Sequence, residues 1–211
     1  MHTPMTIETL KLTLITNKGN FTTVGYIKFI IECVEAGVTA VQLREKQLAY
    51  EELVVFAKEL HKALKYYNVP LIINDSLKLC LEINAEGLHL GQSDGDINEA
   101  RRALGQEKLL GLSTDNLDEV IAANSLPIDY IGIGAIFPTE SKPDIKNIWG
   151  LADLAVAKNK SVHPIIAIGG ITPANAKEVI LAGASGVAAI GAFHNVDNHV
   201  KLCKDFLKVV E

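Results

Sequence analysis

The sequence predicts a single-domain (β/α)8 barrel, and two observations carry the prediction. Short runs rich in aliphatic and β-branched residues alternate eight times with longer helical runs along the 211 residues. No linker, low-complexity stretch or change of composition divides the chain, so we predict one domain over residues 1–211. Alternating strands and helices imply parallel strands joined by right-handed crossovers, and eight such units suffice to close a barrel.

The eight units follow one another without interruption. The predicted strands are KLTLITN (11–17), AVQLRE (40–45), LIIND (71–75), GLHLGQ (87–92), LLGLST (109–114), YIGIGAIF (130–137), PIIAIGG (164–170) and GVAAIGAF (186–193). The predicted helices span 26–37, 49–68, 77–85, 97–105, 117–126, 149–160, 172–183 and 198–211. The second is the most clearly amphipathic, and Gly37, Gly105 and Gly183 end their helices where a left-handed residue is easiest for glycine.

An open, doubly wound parallel sheet is the main alternative to the barrel. Such sheets usually carry a G-x-G-x-x-G turn after the first strand. Here the first strand runs into ITNKGNF (15–21), which lacks that pattern. The sequence therefore favours the barrel.

Composition excludes several classes of function. The net charge of −5 provides no basic field for nucleic acid or an anionic membrane, so a few placed cations must hold any anionic ligand. Cys33, Cys80 and Cys203 lie far apart and without CxxC spacing, which favours free thiols over a disulfide framework or a zinc site. The N-terminal residues show no secretion signal, and no apolar run is long enough to span a membrane. We expect a cytoplasmic protein.

The stretch TAVQLREK (39–46) places three polar side chains on one face of a strand. In an extended chain Gln42, Arg44 and Lys46 point to one side, and Val41 and Leu43 point to the other. In a barrel the apolar face packs on the helices, and the polar face lines the interior up to the carboxyl edge, where active sites lie. Buried cations there need anionic partners.

Acidic and amide side chains follow the next two strands. Asn74 and Asp75 end the third strand, and Asp94 follows the fourth. Two carboxylates on neighbouring strand ends are suited to Mg²⁺, which prefers oxygen ligands. The alternative is that each aspartate caps the helix that follows, but Arg44 and Lys46 on the adjacent strand favour the metal site.

Hydroxyl groups follow strands five and six. Ser113 and the neighbouring Thr114 could contact a ligand or could cap a helix. The loop IFPTESKPD (136–144) carries Thr139, Ser141 and Lys142 and is either a surface turn or a lid over the barrel mouth.

Glycines after strands seven and eight predict a phosphate site. Gly169 and Gly170 let the backbone approach a ligand, and the segment Ile190–Gly191–Ala192 lies at the carboxyl end of the last strand. His89 has the alternation of a barrel-interior residue and is more consistent with a core histidine than with a catalytic base. One cationic, metal-assisted site and one backbone-built site across a barrel mouth suggest group transfer with pyrophosphate as leaving group.

Six segments together resemble the thiamine-phosphate synthase family. They are VQLREK, INDS, GLHLGQSD, GLST, IGIGAIFPTESK and AIGGITPANA, in the family's order over about residues 11–193. The resemblance implies a transferase that condenses hydroxymethylpyrimidine diphosphate with hydroxyethylthiazole phosphate and releases pyrophosphate. It implies dissociative substitution through a pyrimidine carbocation, for which no general base is required.

The resemblance also implies a role for each site residue. The pyrimidine diphosphate would be held by Gln42, Arg44, Lys46 and Asn74, and the leaving pyrophosphate by Ser113 and Lys142. Mg²⁺ would be bound by Asp75 and Asp94. The thiazole phosphate would be held by Thr139, Ser141, Gly170, Ile190 and Gly191. Of these implied contributors, Arg44, Lys46, Ser113 and Lys142 would act in catalysis.

Some positions depart from the family's pattern, and two alternatives remain open. Gly191 stands where serine is common, Ser141 where threonine is usual, and Asp115 where histidine is frequent. The related thiazole tautomerases tend to lose the second aspartate and to use a histidine and a lid cysteine, so Asp94, Asp115 and Ser141 favour the synthase. A non-catalytic homologue that binds thiamine precursors would not need the full cationic set. Assembly into a homo-oligomer is possible.

Overall fold

The computed structural model describes residues 6–141 and 147–210, and in it eight parallel strands close into one barrel in chain order. The strands are β1 (Leu12–Ile15), β2 (Ala40–Leu43), β3 (Leu71–Asn74), β4 (Gly87–Leu90), β5 (Leu109–Thr114), β6 (Tyr130–Ile133), β7 (Ile165–Ile168) and β8 (Gly186–Ala189). Strand β8 pairs with β1, which completes the ring. The predicted (β/α)8 fold is confirmed.

Helices cover the outside of the barrel. They are α1 (Thr23–Glu35), α2 (Tyr50–Tyr66), α3 (Leu77–Ile83), α4 (Ile97–Leu104), α5 (Leu117–Ala123), α6 (Gly150–Lys160), α7 (Ala176–Leu181), α8 (Gly191–His194) and α9 (His199–Val210). A 3-10 helix at Ile7–Leu10, which the sequence did not predict, precedes β1. Within the two described ranges, no helix is long and apolar enough to cross a membrane.

All the predicted strands except β5 extend too far at their carboxyl ends, and β6 and β8 do so by the most. Strand β6 ends at Ile133 rather than at residue 137, and β8 ends at Ala189 rather than at residue 193. After β8 the chain turns at Ile190, whose carbonyl accepts a hydrogen bond from the Phe193 N–H at 3.1 Å, so IGAF starts a short helix. The seventh helix is also shorter than predicted and begins at Ala176.

The alternation in TAVQLREK separates two apolar layers. Val41 and Leu43 are buried in the layer between the strands and the helices. Ala40 belongs to a second cluster inside the barrel, together with Ile72. Gln42, two residues after Ala40 and only 8% exposed, faces the interior. The predicted assignment of faces is confirmed.

A buried arginine connects a helix to two strands at the amino-terminal end of the barrel. Arg101 is 6% exposed, and its guanidinium donates hydrogen bonds to the Pro127 carbonyl at 2.8 Å and to Asp129 Oδ2 at 2.6 Å. The same Asp129 oxygen accepts the N–H of Leu110 in β5 at 2.7 Å. This network ties α4 to the starts of two neighbouring strands, and it lies at the opposite end from the strand termini that carry the predicted site.

Glu86, which directly precedes β4, similarly connects that strand to β3 and α2. Glu86 accepts a hydrogen bond from the N–H of Leu71 at 3.1 Å and lies 2.9 Å from Nε2 of His61 on α2. Burial opposes ionisation of Glu86, but these two contacts outweigh it and hold the pKa of the carboxyl below its usual value. Glu86 is therefore a charged structural group of the barrel wall.

Candidate functional site

The carboxyl ends of the strands surround a cavity of about 960 Å³. This volume lies at the upper end of the range for small-molecule sites and leaves room for two ligands. The predicted site residues that the structure describes all line it: Gln42, Arg44, Lys46, Asn74, Asp75, Asp94, Ser113, Thr139, Ser141, Gly170, Ile190 and Gly191. Lys142 lies outside the described residues.

The cationic side of the cavity is held in place by the loop after β1. The N–H of Arg44 donates to Oγ1 of Thr16 at 2.9 Å, and Oε1 of Glu45 accepts the N–H of Lys18 at 2.9 Å. Lys46 Nζ lies 3.7 Å from Asp75 Oδ2, and the lysine side chain is 61% exposed. Such an exposed pair contributes little to stability, so the ammonium group is available to an anionic ligand.

Neither aspartate caps a helix, so the capping alternative is wrong for both. The Ser76 side chain caps α3 by accepting the N–H of Leu79, and the Asp96 side chain caps α4 by accepting the N–H of Glu99. Asp75 instead has a left-handed backbone at φ +66°, and its N–H donates to the His89 carbonyl at 2.9 Å. Asp94 Oδ2 accepts the N–H of Gly91 at 2.8 Å, which folds the loop after β4 back toward the cavity.

The carboxylates of Asp75 and Asp94 interact with each other. Burial, followed by the hydrogen bond and the charge of Asp94, raises the pKa of Asp75 to about 6, although Lys46 and Arg44 oppose the shift. Mutual repulsion of this kind is relieved by a cation. In the described part of the chain no three acidic, histidine or cysteine side chains converge on one point, so these residues offer two carboxylates and not a complete cage. That donor set fits Mg²⁺, which is commonly bound by one or two carboxylates plus phosphate oxygens and water.

Ser113 is oriented by a buried pair of rings inside the barrel. His89 is 8% exposed, as predicted for a core histidine, and its Nε2 lies 2.9 Å from Ser113 Oγ. The other ring nitrogen lies 3.0 Å from the hydroxyl of Tyr130. A Cβ added at Gly111 would lie 2.2 Å from Cζ of Tyr130, so glycine is required there to make room for the rings. The cap of α5 is Asn116, so Ser113 is free of that structural task.

Loops from the last three units meet on the other side of the cavity. Oγ1 of Thr139 accepts the N–H of Ser141 at 3.2 Å. Gly170 has φ +64°, and a Cβ there would lie 2.7 Å from the Pro138 carbonyl oxygen, so the loops after β6 and β7 are in close contact. A Cβ on Gly191 would lie 3.0 Å from Ser141 Oγ. The backbone here can therefore approach a ligand closely, as the glycines predict.

Two residues near the site have no counterpart in the sequence prediction. The hydroxyl of Tyr26 on α1 lies 2.6 Å from His194 Nε2 on α8, and Nδ1 of His194 lies 2.7 Å from the carbonyl oxygen of Ile190. Tyr26 and His194 are 168 positions apart and belong to the first and last units. No periodicity or local motif could have paired them.

The chain is similar in sequence to proteins of known family. The family model described as thiamine monophosphate synthase matches residues 12–193. Thiamine-phosphate synthase from Chlamydia abortus is 48% identical over 201 residues, which cover 95% of each chain. The protein of the same name from Clostridium botulinum is 41% identical over 182 residues, covering 86% of this chain and 88% of the other.

Solved structures show the same architecture. Thiamine phosphate pyrophosphorylase from Pyrococcus furiosus superposes with a TM-score of 0.85 at 29% identity over 96% of both chains. 3-Hexulose-6-phosphate synthase from Salmonella typhimurium superposes with a TM-score of 0.75 over 95% of this chain and 98% of the other. The latter is only 16% identical, so it shares the fold alone.

Proposed function

The chain belongs to the thiamine-phosphate synthase family and is a transferase, and we propose that it joins hydroxymethylpyrimidine diphosphate to hydroxyethylthiazole phosphate. The products are thiamine phosphate and pyrophosphate. The observation that carries the proposal is one shared cavity, which has a cationic and acidic wall from β2 to β4 and a close-packed group of loops after β6, β7 and β8. A reaction between two phosphorylated substrates needs both sides in one space.

On the first side, Arg44 and Lys46 hold the diphosphate and stabilise the charge that grows on it. The reaction breaks the bond between the pyrimidine methylene carbon and a diphosphate oxygen, and the bonding electrons leave with pyrophosphate. The methylene carbon becomes a cation that the pyrimidine ring stabilises. Fixed cations at the departing oxygens lower this barrier because they act where charge develops. Gln42 and Asn74, on neighbouring strands, bind and orient the same substrate.

Asp75 and Asp94 would hold the Mg²⁺ ion. When bound, Mg²⁺ neutralises negative charge on the diphosphate and so makes pyrophosphate a better leaving group. Support comes from the two facing carboxylates, neither of which is used as a helix cap. Ser113, which is oriented by His89, would donate a hydrogen bond to the leaving group.

On the second side, the loops align the nucleophile. Thr139, Ser141 and the backbone of Gly170 and Gly191 would bind the phosphate of the thiazole, so that its ring nitrogen faces the methylene carbon. The nitrogen lone pair then forms the new C–N bond. The nitrogen carries no proton, so no side chain has to act as a base, which agrees with the structural role of His89.

The test is a reconstituted reaction. Purified protein is mixed with both phosphorylated substrates and Mg²⁺, and thiamine phosphate and pyrophosphate are followed together. We expect equimolar products that disappear with EDTA and return with excess Mg²⁺. Absence of product from protein that circular dichroism shows to be folded would refute the proposal. Product formation that EDTA leaves unchanged would refute the metal assignment alone.

A further inference from the structure

A chain of partly buried hydrogen bonds crosses the seam where β1 pairs with β8. Tyr26, fully buried on α1, accepts the N–H of Asn17 on its hydroxyl oxygen at 2.6 Å. The same hydroxyl lies 2.6 Å from Nε2 of His194, whose Nδ1 lies 2.7 Å from the Ile190 carbonyl oxygen. The loop after the first strand is thereby connected to the loop after the last one.

The partners fix where the protons are in this chain. A carbonyl oxygen only accepts, so Nδ1 of His194 carries the proton and donates it to Ile190. Nε2 is then an acceptor for the hydroxyl proton of Tyr26. Burial lowers the pKa of His194 and favours this neutral form, although the bond to Ile190 opposes the shift. The ring is also packed against Phe29, with centroids 5.4 Å apart.

The carbonyl of Ile190 belongs to the same rigid peptide unit as the N–H of Gly191. Besides the imidazole, this oxygen accepts the N–H of Phe193 at 3.1 Å and of His194 at 3.4 Å. The peptide bond is trans, so its N–H points away from its carbonyl. A donor that fixes the direction of the carbonyl therefore fixes the direction of the Gly191 N–H. Both Ile190 and Gly191 line the cavity.

We propose that His194 is a positioning residue, which holds the Ile190–Gly191 peptide so that its N–H is oriented to bind the phosphate of the thiazole substrate. Tyr26 sets the tautomer of His194 and so acts one step further away. The inference rests on the proposed function, because that function brings a phosphate to Gly191. It adds a residue from outside the cavity lining to the substrate site.

Two substitutions of the same residue separate positioning from packing. In His194→Asn the side-chain amide can occupy the place of Nδ1, so the donor to Ile190 is kept and the contact with Tyr26 is lost. In His194→Gln the amide occupies the place of Nε2, so the contact with Tyr26 is kept and the donor to Ile190 is lost. Both variants lose the ring packing against Phe29 and Tyr26.

We expect His194→Gln to raise the KM for thiazole phosphate by about tenfold, the scale of one lost hydrogen bond. We expect His194→Asn to stay within about twofold of the wild type. In both variants kcat and the KM for the pyrimidine diphosphate are expected to stay nearly constant. Equal increases in both variants would mean that the ring only packs, and no increase in His194→Gln would equally overturn the proposal.

His199→Gln is the matched control, because His199 packs on the same Phe29 ring at 4.7 Å but hydrogen-bonds to Glu32 and not to Ile190. It should leave the KM for thiazole phosphate unchanged. Calorimetric titration of hydroxyethylthiazole phosphate separates the two levels of inference. If the wild type turns over but His194→Gln and His194→Asn have the same KM for thiazole phosphate, the positioning role alone is refuted. Wild-type binding without turnover would refute the proposed reaction, and the Kd values would then decide the role of His194. No binding and no turnover in the wild type would refute both.

Discussion

Replacing Asp94 with asparagine removes a charge from the proposed metal site while keeping the shape of its loop. Oδ2 of Asp94 accepts the N–H of Gly91 at 2.8 Å, and an asparagine oxygen can accept the same bond. A neutral acceptor is weaker than a carboxylate, which costs about 0.5–1 kcal/mol of stability. The loss is offset because Asp75 no longer faces a like charge. We therefore expect the free energy of unfolding of Asp94→Asn to stay within about 1 kcal/mol of the wild type.

In contrast to its stability, the turnover of Asp94→Asn is expected to fall strongly. Loss of one electrostatic contributor to the transition state typically lowers kcat by about 100-fold or more. The KM for thiazole phosphate should change little, because that substrate is proposed to bind the loops after β6, β7 and β8. Thiamine phosphate formation at saturating Mg²⁺ and urea unfolding without Mg²⁺ measure the two quantities. More than half of the wild-type turnover in Asp94→Asn would refute the reasoning.

Asp96→Ala in the same loop is the matched control with the opposite expectation. Asp96 Oδ1 caps α4 by accepting the N–H of Glu99 at 2.7 Å. Its loss should cost about 1 kcal/mol, or roughly 2–4 °C in melting temperature for a chain of this size. Turnover of the folded variant should be unchanged. A loss of turnover equal to that of Asp94→Asn would mean that loop structure, not charge, decides the rate.

Three further changes test the barrel around the site. Gly111→Ala should lower stability by about 1–3 kcal/mol in thermal unfolding, because the new Cβ would fall 2.2 Å from Cζ of Tyr130; an unchanged melting temperature would contradict this crowding. Arg101→Met should destabilise the fold by about 1–3 kcal/mol, because the hydrogen bonds of the buried guanidinium to Pro127 and Asp129 are lost. Turnover per folded molecule should be preserved, and a selective loss of turnover would count against a purely structural role. The pKa of Glu86 is lowered in the folded protein, so its stabilisation is complete above the ordinary value of 4.5 and is lost as pH falls through the folded value. Glu86→Gln should thus be less stable than the wild type at pH 7 in urea, and the difference should shrink in acid; a constant difference would contradict the sign.

Much of the site could be predicted because it follows from strand geometry. Alternation in TAVQLREK assigns Gln42 to the interior and Leu43 to the helices, as the structure shows. Position at a strand end brings Asp75, Asp94 and Gly170 to one cavity although they lie far apart in sequence. In a closed parallel barrel every strand ends at the same rim, so residues near a strand's carboxyl end can be assigned to the cavity even where the predicted strand is too long.

The remainder depends on contacts that no local pattern records. The short helix at Gly191–His194 replaces a predicted strand because its hydrogen bonds form only after the chain turns at Ile190. In the sequence Tyr26 fits the apolar pattern of α1. Its hydroxyl gains a hydrogen-bond partner only in the folded barrel, where His194 of the last unit lies beside it. The contact between Ser113 and His89 likewise depends on the pairing of β4 with β5.

The pairing of β1 with β8 has a consequence for how the chain is made. Strand β1 can form backbone hydrogen bonds with β2 as soon as both have been synthesised. Its other edge has no partner until Val187, Ala188 and Ala189 of β8 have been synthesised. A chain that ends before β8 therefore exposes two unpaired strand edges, and such edges promote association with other chains. We therefore expect a chain that is truncated before β8 to aggregate rather than to fold into a smaller barrel.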